Sequence, residues 1–415
     1  MMIKRALSRP IVTVCVSLAL SFSAHATNLT VGYQTGIDPS KVPQADGVYE
    51  KTIGEKIDWR RFNSGPEVVT AIASGDVQIG NLGSSPLAAA ASRNLPIVAF
   101  IVSAQINAAE ALVVRNGSGI DKPEDLIGKT IATPFVSTSH YSLLGALKHW
   151  GLDASKVKVV NLQPAEIAAA WKRGDIDGAF VWSPALGEIR KTGKTLTDAA
   201  QVGQWGAPTF EVWVARKDYA EKHPEVVAKF AKVTLDSFAD YAAHKDSWTE
   251  HSLPVQKIAK LTGANAADVP ELLAGSAFPD AKAQQSSALL DGGTAKAIGE
   301  TAKFLKEQGK VETVLPDYSP YVSAKFVTEQ LLNTAVQPIA SKLAPTGFSV
   351  VRRTCGSELA RDRTTTVKGS FRRSSNYADS CTTTPAPTAG VRRCSARSHA
   401  RGTSAQCGSS VRTGS

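Results

Sequence analysis

The sequence predicts an α/β protein made of two similar lobes with a ligand cleft between them. Three observations carry that reading. Short β-branched runs alternate with helical stretches, the signature of α/β architecture with largely parallel strands. One supersecondary pattern occurs twice. The 415-residue chain also keeps its charge and its cysteines at its ends, leaving a nearly neutral, cysteine-free body between them.

Taken in chain order, residues 1–26 read as a secretory signal. Lys4, Arg5 and Arg9 form a basic start, and Ile11 to Phe22 is an apolar run too short to span a bilayer. Ala24-His25-Ala26 supplies the small-x-small pattern for cleavage before Thr27. Cys15 lies within the apolar run rather than at the cleavage point, so no lipid anchor is predicted. The mature protein is expected to be exported and soluble.

The formal charge of +10 suggests a nucleic-acid binder until it is divided along the chain. The signal segment contributes +3, and residues 346–415 set 12 Lys/Arg against Glu358, Asp362 and Asp379, which leaves 27–345 at −2. A basic whole-chain balance therefore says nothing about the partners of the body. Cys355, Cys381, Cys394 and Cys407 all lie in the tail. A cysteine nucleophile, a thiolate zinc site and a disulfide framework are thus excluded from the body, which suits an oxidising compartment.

In the body, Leu29–Tyr33, Ile97–Val102, Ala111–Val114, Thr130–Ala132 and Val157–Val160 read as strands. Residues 66–73, 86–93, 140–149, 165–173, 224–242 and 294–309 read as helices. The repeated unit runs from Ala71 through Gly75-Asp76-Val77 and a short strand to Ser84-Ser85-Pro86. It returns as Ala170 through Gly174-Asp175-Ile176 to Trp182-Ser183-Pro184. In both, Gly-Asp closes a helix, because glycine adopts the left-handed cap conformation cheaply. Ser-Pro then opens the next element, with serine expected at the N-cap and proline at the first helical position.

Several motifs fail. Gly128-Lys129-Thr130 imitates the end of a phosphate-binding loop, but Pro123 stands where the leading glycine must be. The stretch from Asp121 reads instead as a short helix capped by Gly128 and entering a strand. There is no Gly-x-Ser-x-Gly elbow, no His-x-x-x-His pair and no Gly-x-Gly-x-x-Gly loop. No cofactor and no metal are expected.

Three helix starts carry donors without a carboxylate at the cap: Asn63-Ser64-Gly65-Pro66, Gly83-Ser84-Ser85-Pro86 and Ser137-Thr138-Ser139-His140. Helix N-termini present unpaired N–H groups and partial positive charge, so each is either an anion site or an ordinary cap. Glu211 interrupts an apolar run from Phe210 to Val214. In a buried strand it would need a cationic partner; in an exposed edge strand it would sit in solvent. Trp182 and Trp205 could offer ring faces to an ammonium group.

Four stretches carry a family resemblance: Gly75 to Ala88 (GDVQIGNLGSSPLA), Thr138 to Gly151 (TSHYSLLGALKHWG), Gly174 to Trp182 (GDIDGAFVW) and Gln201 to Thr209 (QVGQWGAPT). In these the chain resembles the substrate-binding proteins of ABC importers for taurine and aliphatic sulfonates, over about residues 29 to 327. The resemblance implies a type II periplasmic binding protein fold, with lobe I from 27–115 and 216–330 and lobe II from 116–215, and no catalysis. It places Gln34, Ser84, Ser85, Thr138 and His140 near a sulfonate, and Glu211 on an amine with Trp182 and Trp205 nearby. The family pattern has aspartate where this chain has Glu211, and the extra methylene pushes the carboxylate further into the cleft. The implied partners are a small sulfonate such as taurine and a membrane permease with its ATPase, with no nucleic acid, for a periplasmic monomer.

Residues 331–415 have no counterpart in that pattern. From Thr346 onward Ser, Thr, Arg and Gly dominate, a composition that cannot bury enough surface to offset its ordering entropy. The tail reads as a disordered basic extension, either non-native or out of frame, or as a basic arm for an anionic partner. The rival function is an enzyme on the same fold, such as the pyrimidine-synthesising relatives, which use histidine and cysteine in a cytoplasmic site.

Overall fold

The computed structural model describes residues 29–328; the expected signal segment and the expected tail lie outside the described residues. Eleven strands form: β1 (Leu29–Tyr33), β2 (Ile57–Arg61), β3 (Ile79–Gly83), β4 (Ile97–Ile106), β5 (Glu110–Arg115), β6 (Thr130–Thr133), β7 (Lys158–Asn161), β8 (Gly178–Trp182), β9 (Gly193–Asp198), β10 (Thr209–Arg216) and β11 (Ser276–Ala277). They make two sheets, in the orders β11-β4-β10-β3-β1-β2 and β7-β6-β8-β5-β9.

The sheets are mixed rather than largely parallel. In the first, β2, β1 and β3 run parallel, and β10 joins β3 antiparallel and then pairs antiparallel with β4. The second repeats this plan: β7, β6 and β8 are parallel, β5 joins β8 antiparallel, and β9 pairs antiparallel with β5. The reversal comes from the crossings. A chain that leaves one sheet along β4 and enters the other along β5 arrives facing the opposite way, and β9 to β10 makes the return trip.

Those crossings correct the expected lobe boundaries. Placing them at 115/116 and 215/216 would detach β5 from β8 and β9, and β10 from β3 and β4. The chain changes sheet between Ile106 and Glu110 and again between Asp198 and Thr209. Nor does the segment after 216 stay on the first sheet. Its long helix, Pro224–His244, buries Phe230 against Tyr49, Phe100 and Trp213 there. The helices Leu253–Thr262 and Val269–Ala274 instead bury Val255, Ile258, Leu272 and Leu273 with Trp182, Leu186 and Ile189 of the second half. Apolar faces on these short helices share one buried cluster with residues of the second sheet, and burial decides where they pack.

The repeated unit forms with one change. Gly75 (φ 89°) and Gly174 (φ 82°) close the helices Gly65–Ser74 and Pro164–Arg173 in the left-handed region, as their sequence predicts. At the other end, serine is not the cap. Gly83 caps the Ser84–Ser92 helix, so Ser84 and Ser85 lie inside its first turn with Pro86. In the second copy the helix starts at Ala185, with Pro184 at the cap position. The stretch before Gly128 forms a 3-10 turn, Pro123–Leu126, ahead of β6.

Candidate functional site

In both sheets the parallel strands end at one junction, the usual place for a ligand in open α/β sheets. From the first sheet, β3 runs straight into the Ser84–Ser92 helix. From the second, β6 leads through a short loop to the Thr138–His149 helix. The two helix starts touch. A Cβ added at Gly83 would lie 2.5 Å from Cγ2 of Thr138, so only glycine allows this approach.

Glu211 sits on β10, opposite Gly83 at the end of β3. β10 lies between β3 and β4, so the exposed-edge alternative is excluded. The residue keeps some exposed surface toward a narrow cavity, while its carboxylate is packed round by protein. That burial, reinforced by the nearby Asp38 carboxylate, pushes its pKa up to about 7; Lys41 pulls the other way. Lys41 is 1% exposed and paired with Asp38 at 2.7 Å. Asp38 also accepts hydrogen bonds from the backbone N–H and hydroxyl of Ser40.

Across the junction stands Glu110, the first residue of β5, opposite Trp182 at the end of β8. It is buried, and it accepts hydrogen bonds from the hydroxyls of Thr138 (2.6 Å) and Ser139 (2.9 Å). Burial pushes its pKa up to about 7 against these two hydrogen bonds, and the Glu211 charge adds to the rise. Glu110, Glu211, Trp182, Ser183, Gly36, Ile37 and Ala104 line one cavity of about 30 Å³, room for a water molecule or so.

The expected site residues divide into four groups. Glu211 and Trp182 line the cavity. Ser84, Ser85 and Gln34 are buried on the first-sheet side. There Ser85 Oγ has no protein partner, Ser84 Oγ accepts a long 3.5 Å bond from the Phe210 N–H, and Gln34 donates to the Asn81 carbonyl at 3.1 Å. Thr138 is at the junction, but its hydroxyl is committed to Glu110.

His140 and Trp205 are turned to other work. His140 Nδ1 accepts from the Val136 N–H at 3.0 Å, and its ring stacks on Phe135. Burial first, and then Lys310, lower its pKa to about 4, so it is a neutral brace for the loop before its helix. Trp205 stacks on His149 with ring centroids 4.0 Å apart. His149 ends the helix that Thr138 begins, about 16 Å further along its axis at the usual rise. Trp205 is thus placed by the far end of that helix and not by the cavity.

Glu110, Asp38 and Lys41 were not among the residues that sequence reasoning singled out. Asp38 and Lys41 had a faint signal, an acid and a base three residues apart beside Pro39. A wider groove of about 330 Å³ runs outside the same junction, lined by Thr35, Arg61, Asn63, Glu188 and Asp268 among others. It is open to solvent, whereas Glu110 and Glu211 line the smaller space; Ser183, whose hydroxyl has no protein partner, borders both. Among the described residues no cluster of His, Cys, Asp and Glu is arranged to hold a metal, and no helix is long and apolar enough to cross a membrane.

Comparison with known proteins bears on the family and the fold. The family described as NMT1/THI5 like matches residues 59–247. The taurine-binding periplasmic protein of Escherichia coli K12 is 55% identical over 316 residues, covering 76% of this chain and 98% of that protein. Among solved structures, the alkanesulfonate-binding protein SsuA of Xanthomonas axonopodis pv. citri bound to MOPS superposes with a TM-score of 0.60 at 22% identity, over 69% of this chain and 96% of that one. The periplasmic aliphatic sulphonate binding protein SsuA of Escherichia coli gives 0.57 at 24% identity, over 71% and 92%. The two-lobed fold is thereby shared with sulfonate-binding proteins.

Proposed function

Because the chain belongs to the family of periplasmic substrate-binding proteins that includes the taurine-binding protein of E. coli, we propose that it captures taurine between its two halves and delivers it to an ABC permease and ATPase. It is a solute-binding protein of the periplasm and not an enzyme. In this reading residues 1–26 are removed on export, the mature protein acts as a monomer, and the tail takes no part in binding.

One observation carries the choice of ligand. The junction sets an enclosed carboxylate, Glu211, close to a helix start whose buried Ser85 hydroxyl lacks a partner. A sulfonate is anionic at any physiological pH, so N–H and O–H donors at a helix N-terminus suffice to hold it. Hydrogen bonds to a charged group contribute about 1.5–3 kcal/mol each. The ammonium goes to Glu211, beside the Trp182 ring. The sulfonate goes to the start of the Ser84–Ser92 helix, with Gln34 behind it. His140 and Trp205 have no place in this arrangement, and Thr138 acts through Glu110.

Calorimetric titration of the protein with taurine, ethanesulfonate, betaine and nitrate tests it. Taurine should bind tightest and ethanesulfonate, which lacks the ammonium, more weakly; betaine, with a carboxylate and an ammonium that has no N–H, and nitrate, with neither group, should bind weakly or not at all. Equal affinity for taurine and ethanesulfonate would remove Glu211 from recognition.

A further inference from the structure

We propose that Glu110 and Glu211 form one cation-receiving pair, and that the ligand's ammonium displaces a proton which the pair shares when no ligand is bound. This rests on the taurine reading above and adds to it a second selecting residue and an exchange of charge.

The geometry comes from the repeated plan of the sheets. In each half, the strand that crosses from the other half lies antiparallel beside the third parallel strand. Each crossing strand carries a glutamate opposite that strand's last residue: Glu211 opposite Gly83, and Glu110 opposite Trp182. The two carboxylates therefore reach one cavity from two sheets. A cation held by both ties the halves together, which a single carboxylate cannot do.

The surroundings supply hydrogen bonds and one nearby cation, Lys41, which is already paired with Asp38. Thr138 and Ser139 donate to Glu110. Near Glu211 the charged groups are Asp38 and Lys41, already paired with each other. Arg190 reaches the Ala108 carbonyl at 3.2 Å and Glu271 at 3.4 Å. Lys310 lies over the Phe135 ring, and neutral His140 is bound to Val136. Among the described residues no cation forms an ion pair with Glu110 or Glu211. Two ionised carboxylates enclosed together are costly, and retaining one proton relieves both the desolvation and the repulsion. Burial raises both toward neutrality; the Glu211 charge adds to the rise of Glu110, and the Asp38 charge to that of Glu211.

The exchange balances. Two carboxylates with one proton carry one net negative charge; two ionised carboxylates with one ammonium carry the same. The O–H bond breaks, its proton leaves to solvent, and ammonium N–H groups donate in its place. Glu110 also fixes the ligand's direction. By occupying the hydroxyls at the start of the Thr138–His149 helix, it makes that end of the junction repel a sulfonate, which leaves the Ser84–Ser92 helix start to receive it.

The test is calorimetry on the full mature chain with taurine and with ethanesulfonate, in phosphate and in Tris, from pH 5.5 to 8. Taurine should release up to one proton near pH 6.5, seen as a buffer-dependent heat, and should bind more tightly as pH rises. Ethanesulfonate brings no cation to replace the proton and should bind more weakly over the same range. Glu110→Gln should reduce the taurine proton release to what burial and Asp38 leave on Glu211, and cut taurine affinity by roughly 30-fold or more, with a far smaller effect on ethanesulfonate. Glu110→Asp, which keeps the charge, should keep the proton release and guards against simple misfolding of the Gln variant. Taurine binding with buffer-independent heat, or parallel pH profiles for the two ligands, overturns the pair while leaving the taurine reading intact. Equal losses for both ligands in Glu110→Gln would make Glu110 a cap for its helix and nothing more. No taurine heat at all in the folded wild type overturns the ligand reading, and the pair with it.

Discussion

The two halves of the molecule use the same plan and finish it differently. Each has three parallel strands, a crossing strand with a glutamate near its start, and a serine before proline after the third strand. In the first half that serine, Ser85, enters a nine-residue helix with its hydroxyl buried and unpartnered. In the second half the helix aimed at the junction is Thr138–His149, and its leading hydroxyls are already taken by Glu110. The first half therefore offers donors to an anion and, in Glu211, an acceptor to a cation, while the second half adds only an acceptor, Glu110. A duplicated scaffold has become a dipolar site, the complement of a zwitterion.

The sharpest way to break the comparison is Glu211→Gln. Taurine should lose about 2–5 kcal/mol of binding, as for a broken desolvated charge pair, while ethanesulfonate loses far less. Calorimetry checks the contrast, and equal losses in a folded protein would mean that the carboxylate is structural.

Next in size is the pH dependence of stability without ligand. Glu110 and Glu211 have pKa values of about 7 in the folded protein, above their ordinary carboxylate range. Between about pH 4.5 and 7 the folded state thus holds protons that the unfolded state has released, so these groups lower stability as pH rises. Each contributes on the order of 3 kcal/mol by pH 8. His140 acts the other way: its pKa is lowered to about 4, so its contribution is present above its ordinary range and lost as pH falls toward 4. Urea midpoints of wild type and the two Glu→Gln variants, at pH 5 and pH 8, isolate the carboxylates because His140 cancels in the difference. Each variant should gain stability relative to wild type at pH 8 and little at pH 5. A difference independent of pH would contradict the burial of these charges.

Gly83→Ala probes the contact between the two helix starts. The new methyl would meet Thr138 Cγ2 at 2.5 Å, and crowding of this kind costs about 1–3 kcal/mol. Taurine affinity should fall and the radius of gyration with saturating taurine should exceed that of wild type. An unchanged scattering profile would show that the halves close without this contact. The smallest effect belongs to Ser85→Ala, which should weaken taurine and ethanesulfonate alike by about 1–2 kcal/mol, since both carry a sulfonate. Discrimination between the ligands by that variant would put the amine at the wrong end.

Sequence reasoning reached the buried strands and the longest helices, but not the ten-residue helix Leu253–Thr262. It missed β2 and β9 as strands because each buries one residue, Ile57 and Thr197, and shows no β-branched run, whereas the equally unburied edge strand β7 has one in Val157–Val160. Parallel pairing was over-read, since a local pattern does not reveal which strand crosses between sheets. In the site, Glu211 was legible because a carboxylate stands inside an apolar run. Glu110 was not. It begins a strand after two alanines, and what makes it functional is its bonding to Thr138 and Ser139, 28 and 29 residues away. Trp205 and His140 misled for the converse reason: aromatic and imidazole rings suit a ligand site, but here stacking on His149 and Phe135 holds them elsewhere.

The central claim is the direction of the ligand across the two halves, and a crystal structure of the protein with taurine tests it most directly. The ammonium nitrogen should lie within hydrogen-bond distance, about 2.7–3.2 Å, of both Glu211 and Glu110, with a sulfonate oxygen on Ser85 Oγ. A sulfonate against the Thr138–His149 helix start, or taurine lodged in the outer groove by Arg61 and Asn63, would contradict it.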